Sequence, residues 1–219
     1  MNSKIEKITI VVSSRDHPVL GVISEWVARR PASQCVDVVE SPKEANGGDL
    51  CFLISCTDIV PMSVLEKYTH ALVIHASDLP KGRGWSPHIW YILGGGNSIV
   101  VSLLEAAEKV DTGDVWKKYS YEIPKYFLYE DIIKVVNQAH IDLMDFAVLN
   151  YESVNPFRQS KDICPTYYKK RSPSDSEISP FMSIAEQFDH LRVCDKNRFP
   201  SYFRLHGEKY KLFLERDND

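Results

Sequence analysis

The sequence predicts an α/β protein: an open, mostly parallel sheet flanked by helices, with a short C-terminal extension that ends in a β-hairpin. Three features predict it. Short β-branched runs alternate with helically spaced apolar residues across positions 8–149. Several of these runs are apolar throughout rather than at every second residue, as strands covered on both faces require. From Asn155 onward the alternation stops, and Pro156, Pro165, Pro173 and Pro180 punctuate a polar stretch.

Residues 8–13 (Ile-Thr-Ile-Val-Val-Ser) read as a first buried strand. Leu20, Ile23, Trp26 and Val27 share one face of a helix running to Arg30, where Pro31 stops it. A second strand spans 35–40 and is closed by Ser41 and Pro42; a third spans 49–55. Residues 61–68 suit a short helix with proline in its first turn. Residues 71–74 form a fourth strand, and 89–93 a helix stopped by Gly94, Gly95 and Gly96. Strands follow at 98–104 and 115–123, the second alternating in character. Residues 129–149 form a long amphipathic helix with Ile132, Val136, His140, Leu143 and Val148 close to one face. The polar stretch after Asn155 reads as an extended linker over the surface. Helical spacing returns at 181–192 through Ile184, Phe188 and Leu191, and 201–206 and 209–214 flank Gly207 as a hairpin. Residues 1–154 are therefore read as the principal domain, and 155–219 as a linker with a small extension.

A chain of 219 residues, 44% hydrophobic and 26% charged, can bury a sizeable core. Its net charge of −4 argues against nucleic acid as an obligatory partner, and the basic stretch 167–171 is too short for a phosphate track. No apolar run reaches the ~18–20 residues of a membrane span. The N-terminal residues 1–7 lack the apolar core of a signal peptide, so a cytoplasmic protein is expected. Cys35, Cys51, Cys56, Cys164 and Cys194 are odd in number without metal-type spacing, and buried free thiols are expected. His17, His88 and His190 share no ligand spacing, so no metal is expected, and His140 reads as a packing residue. The glycines 94–96 precede no Gly-Lys-Ser/Thr, and the turn at 13–17 lacks G-x-G-x-x-G, which argues against kinases and dehydrogenases.

The chemistry concentrates in two turns. The fourth strand delivers His75 into a loop rich in Pro and Gly (75–87), and Asp111 opens a second tight turn (111–114). A histidine and an aspartate converging in one cleft can move protons. Ligands of open α/β sheets bind beyond the carboxyl ends of the strands, where His75 emerges.

The pattern His75-x-Ser77-x-Leu79-Pro80-x-x-Arg83-Gly84-x-x-Pro87, with Asp111-Thr112-Gly113-Asp114, resembles the signature of the folate-dependent formyltransferases. The resemblance runs from about Asp49 to Trp116, and Lys170-Arg-Ser-Pro-Ser-Asp-Ser176 is similar to the R-R-T-P-E-D-S stretch of the tRNA and sugar enzymes. It implies a Rossmann-like catalytic domain, 10-formyltetrahydrofolate as co-substrate and no metal. It implies that His75 stabilises a developing oxyanion and moves protons, while Asp111 fixes the imidazole's tautomer and accepts the amine's proton. Cys56, Thr57, Asp58 and Ile59 on one side, and Glu105, Lys109 and Val110 on the other, would border the folate. Ser77, Lys81 and Arg83 would face the acceptor. One position departs from the pattern: the family reads N-x-H, and here Val73 precedes His75 by two. Losing one oxyanion donor can cost ~10²–10³ in rate. Backbone N–H groups of the 75–78 turn, Ser77, or a side chain from the 56–58 loop are the candidate substitutes.

For the acceptor, the tRNA enzymes carry a large basic C-terminal domain, whereas about seventy residues follow Tyr151 here and the chain is acidic. The H-x-S-D-L-P-x-G-R-G-W-S-P loop is similar to small formyltransferases of surface-polysaccharide and nonulosonic-acid (pseudaminic-type) pathways. The reading that results is a nucleotide-linked, UDP-type amino sugar as substrate. A glycinamide-ribonucleotide enzyme, a formyltetrahydrofolate hydrolase and a non-catalytic folate- or nucleotide-binding module stand as alternatives. The aromatic hairpin (Tyr202, Phe203, Tyr210, Phe213) suits packing on its own domain or on a second copy, which leaves a homodimer open.

Overall fold

In a computed structural model, described over residues 5–217, the chain runs β1 (Lys7–Val11), α1 (Val19–Ala28), β2 (Cys35–Val39), β3 (Gly48–Leu53), α2 (Met62–Leu65) and β4 (Tyr68–His75). Then come β5 (Arg83–Gly84), α3 (Pro87–Leu93), β6 (Ser98–Glu105), β7 (Val115–Glu122) and α4 (Tyr129–Leu149). The rest holds β8 (Tyr167–Tyr168), α5 (Phe188–Arg192), β9 (Ser201–Leu205) and β10 (Glu208–Leu212). Residues 1–4, part of the N-terminal stretch read above for a signal sequence, lie outside the described residues.

The central sheet has the order β2-β1-β3-β4-β6-β7. The pairings among β2, β1, β3 and β4 are parallel, and those of β4 with β6 and β6 with β7 are antiparallel. The link from β6 to β7 is shorter than the dozen or so residues a parallel crossover needs, so β7 must return antiparallel. Along 50–54 the side chains alternate between two buried clusters. Leu50, Phe52 and Ile54 enter a large one, Cys51 and Leu53 a smaller one on the other face. Two covered faces explain the unbroken apolar run.

The large cluster is closed by α1 and α4. On α4, Ile132, Val136, Ala139, His140, Leu143 and Ala147 are buried at helical spacing. Trp26 from α1 donates its indole N–H to Asp145 at 2.7 Å, and Arg30 caps the ring at 4.2 Å while reaching the same carboxylate. The small cluster is covered by α2 through Leu65. No helix among the described residues is long and apolar enough to cross a membrane.

Three expectations change. The helix placed at 181–192 shrinks to α5, and Phe181 and Ile184 are exposed. The Gln187 side chain explains this: it bonds both backbone groups of Ser179 and the carbonyl of Met182, holding 179–187 as an irregular turn. The cysteines are free, but only Cys51 is fully buried, its thiol pushed up to about 12 by burial; Cys35 and Cys164 are exposed. Finally, the stretch read as a surface linker is hydrogen-bonded to the first half of the chain. Phe157 bridges Val115, and β8 pairs with β5.

Candidate active site

His75 ends β4, where the backbone leaves the sheet and the side chain stays buried. Its Nε2 lies 2.8 Å from the Gly82 carbonyl, which can only accept, so this nitrogen carries the proton. The other nitrogen, Nδ1, faces Asp111 Oδ1 at 3.5 Å. That separation is too long for a good hydrogen bond, so neither group is tied up by the other. The tautomer is therefore set by the Gly82 carbonyl, not by Asp111 as the family resemblance implied.

Asp111 sits in the loop between β6 and β7 with φ +58°, a left-handed conformation that aspartate tolerates better than most residues. Its Oδ2 accepts the Gly84 N–H at 2.9 Å. Glycine is obligatory at two adjoining positions. A Cβ at Gly113 would sit 1.9 Å from the Glu105 carbonyl oxygen. At Gly84, with φ +94°, it would sit 2.4 Å from that of Tyr168. Both histidine and aspartate thus depend on how closely the 82–84 loop approaches its neighbours.

That loop is held by residues 159–168. The Arg83 N–H donates to the Thr166 carbonyl at 2.9 Å, the Trp85 N–H to that of Tyr168 at 3.1 Å, and the Gly82 N–H to Thr166 Oγ1 at 2.8 Å. Gln159 ties the two turns together. Its amide donates to the carbonyls of Asp111 (2.9 Å) and Gly113 (3.0 Å), and its oxygen accepts from Arg83 Nη2 (2.7 Å). Sequence reasoning missed Gln159, Thr166 and Tyr168, because a glutamine in an aperiodic stretch carries no signal of what it touches.

A cavity of about 780 Å³ opens on this pair. His75, Asp111 and Arg83 line it, and Val73 presents methyl groups where the family pattern has an amide. One wing lies between two loops: Cys56, Thr57, Asp58 and Ile59 on one side, Glu105 and Val110 on the other. The Glu105 carboxylate itself is turned away, accepting from the Trp116 indole and lying 2.8 Å from His70 Nδ1. Ser77, Lys81 and Lys109 do not line the cavity. Ser77 is packed beneath the loop against Gly82, and both lysines are exposed. Of the proposed oxyanion substitutes, the Ser77 N–H is spent on the His75 carbonyl. The cavity is also lined by His17 and His140, each held down to about 4 by burial, and His88, held down to about 3 mainly by burial.

The sequence pattern of the formyl transferase family matches residues 3–144. Methionyl-tRNA formyltransferase of Rickettsia massiliae is 26% identical over 186 residues, 84% of this chain and 60% of its own length. The chain thus spans a little over half the length of the curated relatives it matches. Among solved structures, a methionyl-tRNA formyltransferase from Clostridium thermocellum superposes with a TM-score of 0.81 at 19% identity, covering 98% of this chain and 95% of that one. A sugar N-formyltransferase from a Shewanella species gives 0.72 at 16%, covering 96% and 98%. HypX from Aquifex aeolicus, in complex with tetrahydrofolic acid, gives 0.73 at 20%, covering 94% and 37%. At these identities the structures establish a shared fold, and the sequence match establishes the lineage: the chain belongs to the formyl transferase family.

Proposed function

We propose that this chain transfers a formyl group from 10-formyltetrahydrofolate to the amine of a nucleotide-linked, UDP-type amino sugar. The observation that carries formyl transfer is the gap between His75 Nδ1 and Asp111 Oδ1, two buried groups facing one cavity with their partners held by the 82–84 loop. The wing between Cys56–Ile59 and Glu105–Val110 fits a flat heteroaromatic group: Leu53, Val60 and Val73 add apolar walls, and backbone edges flank them. When bound there, the folate supplies the formyl group.

The residues of the chain do the rest. An amine that gains a formyl group loses a proton, and Asp111 Oδ1 with His75 Nδ1 is the pair placed to take it and return it to the departing folate nitrogen. Gly82 keeps the imidazole from turning, so Nδ1 meets each new substrate in one orientation. A proton taken by this pair turns it from net negative to net neutral, so less negative charge opposes the charge that develops on the transferred group's oxygen.

The sugar acceptor draws support from the 75–87 loop and from the sugar N-formyltransferase fold neighbour. A tRNA acceptor is the second reading, favoured by the methionyl-tRNA relatives and opposed by the net charge of −4. Consumption of 10-formyltetrahydrofolate is followed with UDP-linked amino sugars, with aminoacylated initiator tRNA, and with water alone. Formylation of a sugar amine, read by mass, is the expected result. Turnover only with tRNA replaces the acceptor, turnover in water makes the chain a hydrolase, and no turnover with any of them removes the activity.

A further inference from the structure

Three histidines from three separate elements wall the cavity beside the reacting pair: His17 after β1, His88 in the first turn of α3, and His140 on α4. Two have a use in the fold. His17 Nδ1 accepts the Val19 N–H at 3.2 Å, and His140 Nδ1 meets the Val136 carbonyl at 2.7 Å. His88 has no hydrogen-bond partner among the described residues, and its Nδ1 is sealed from solvent while the residue as a whole remains partly open to the cavity. It is not isolated in this. Ser77 Oγ, Arg83 Nε and Arg171 Nε are also buried without partners, and Arg83 and Arg171 line the same cavity. Native folds rarely leave buried polar atoms unpaired, and of the His88 nitrogens Nε2 is the one that is not sealed and so can meet a ligand.

The ring's chemistry narrows that ligand. A sealed nitrogen with no acceptor nearby is better left as a lone pair than as an orphaned N–H, so the proton sits on Nε2, the nitrogen left to the open edge. The titratable groups around His88 are His17, His75, His140 and Arg171, all of them cationic when protonated, so nothing there favours a charged ring. Tyr129 and Phe199 line the same cavity, each already meeting a cation: Arg198 donates to the Tyr129 hydroxyl at 2.7 Å, and the Arg171 guanidinium lies 5.3 Å from the Phe199 ring.

We propose that His88 is a specificity residue, donating a hydrogen bond from Nε2–H to a neutral oxygen, hydroxyl or carbonyl, on the non-reacting part of the acceptor. The inference rests on the acceptor reading above.

The test begins with wild-type protein, 10-formyltetrahydrofolate and a panel of UDP-, dTDP- and GDP-linked amino sugars with glycinamide ribonucleotide. The amine that is formylated is then used with His88→Phe, which keeps the volume without a donor, and His88→Asn, which restores one. His88→Phe is expected to raise KM for that acceptor about tenfold or more, with KM for the folate unchanged. His88→Asn is expected to recover most of the loss and serves alone if the Phe variant does not fold, KM rising more than about tenfold then counting against a donor role. The effect should be equal at about pH 6 and about pH 8.5, since a neutral donor does not titrate there. An acceptor KM that His88→Phe leaves within about twofold overturns the inference alone. So does a loss seen only at the lower pH, which would mean a charged ring reading an anion. If the wild type formylates no amine, the acceptor reading falls and this inference with it.

Discussion

The sheet around His75 and the segment 157–168 hold the same site by different physics. The sheet works by burial: Leu72 and Ile74 on β4 sink into the large cluster, and His75 is carried to the end of a strand that cannot slip. The segment works by individual hydrogen bonds, through Phe157, Gln159, Thr166 and Tyr168, to the turns that bear Asp111 and Gly82–Gly84. Burial is shared over many residues, so it tolerates small changes. A clamp of single bonds does not. The difference teaches that His75 is placed by the core, while its distance to Asp111 is set by a segment outside the core.

Four changes probe that division, from the largest effect to the smallest. His75→Asn removes the proton carrier from the sheet side and is expected to lower kcat/KM by about 10²–10⁴-fold, measured in steady state with the acceptor found by the screen. A loss under about tenfold would take His75 out of the chemistry. Gly84→Ala forces a Cβ against the Tyr168 carbonyl and strains a positive φ. It should cost about 1–3 kcal/mol in urea unfolding and part β5 from β8.

Gln159→Ala sharpens the comparison, because it cuts the link between the two turns and leaves the sheet intact. The expectation is a fall in kcat of about tenfold and about 1–3 kcal/mol of lost stability. Unchanged kcat would reduce the segment to a cover. The smallest effect is a pH dependence that belongs to the sheet side. Burial lowers His140 from 6.5 to about 4, so below pH 6.5 the unfolded chain takes up a proton that the folded chain refuses. Stability is therefore full above 6.5 and falls as the pH drops towards about 4. His17, also lowered to about 4, adds to the same slope. His140→Gln should flatten the fall in urea midpoint between about pH 7 and about pH 5, and an unchanged slope would contradict the assignment.

Much of the sheet was legible because burial imposes a period. The apolar runs at 8–13, 49–55 and 71–74 and the stripe of α4 identify their elements within a few residues. His75 and Asp111 were proposed from motif, and the fold brings them within 3.5 Å of each other beside one cavity. The antiparallel return of β6 and β7 was not, because strand direction leaves no mark on composition. Nor were β5 and β8, two residues each, whose pairing is visible only once the chain has folded back on itself. His88 illustrates the limit best. In the chain it is one of several scattered histidines; in the fold it differs from His17 and His140 by having no hydrogen-bond partner among the described residues.

By itself the sequence determined the α/β class and the principal strands, and it offered His75 and Asp111 as the candidate pair. Those depend on periodicity and on residue chemistry, both local properties of a chain. The tertiary structure decided which acceptor holds His75 Nε2, what clamps Asp111 and which histidine faces the cavity unpartnered. These are contacts between residues 7 to 84 positions apart, set by how whole elements pack.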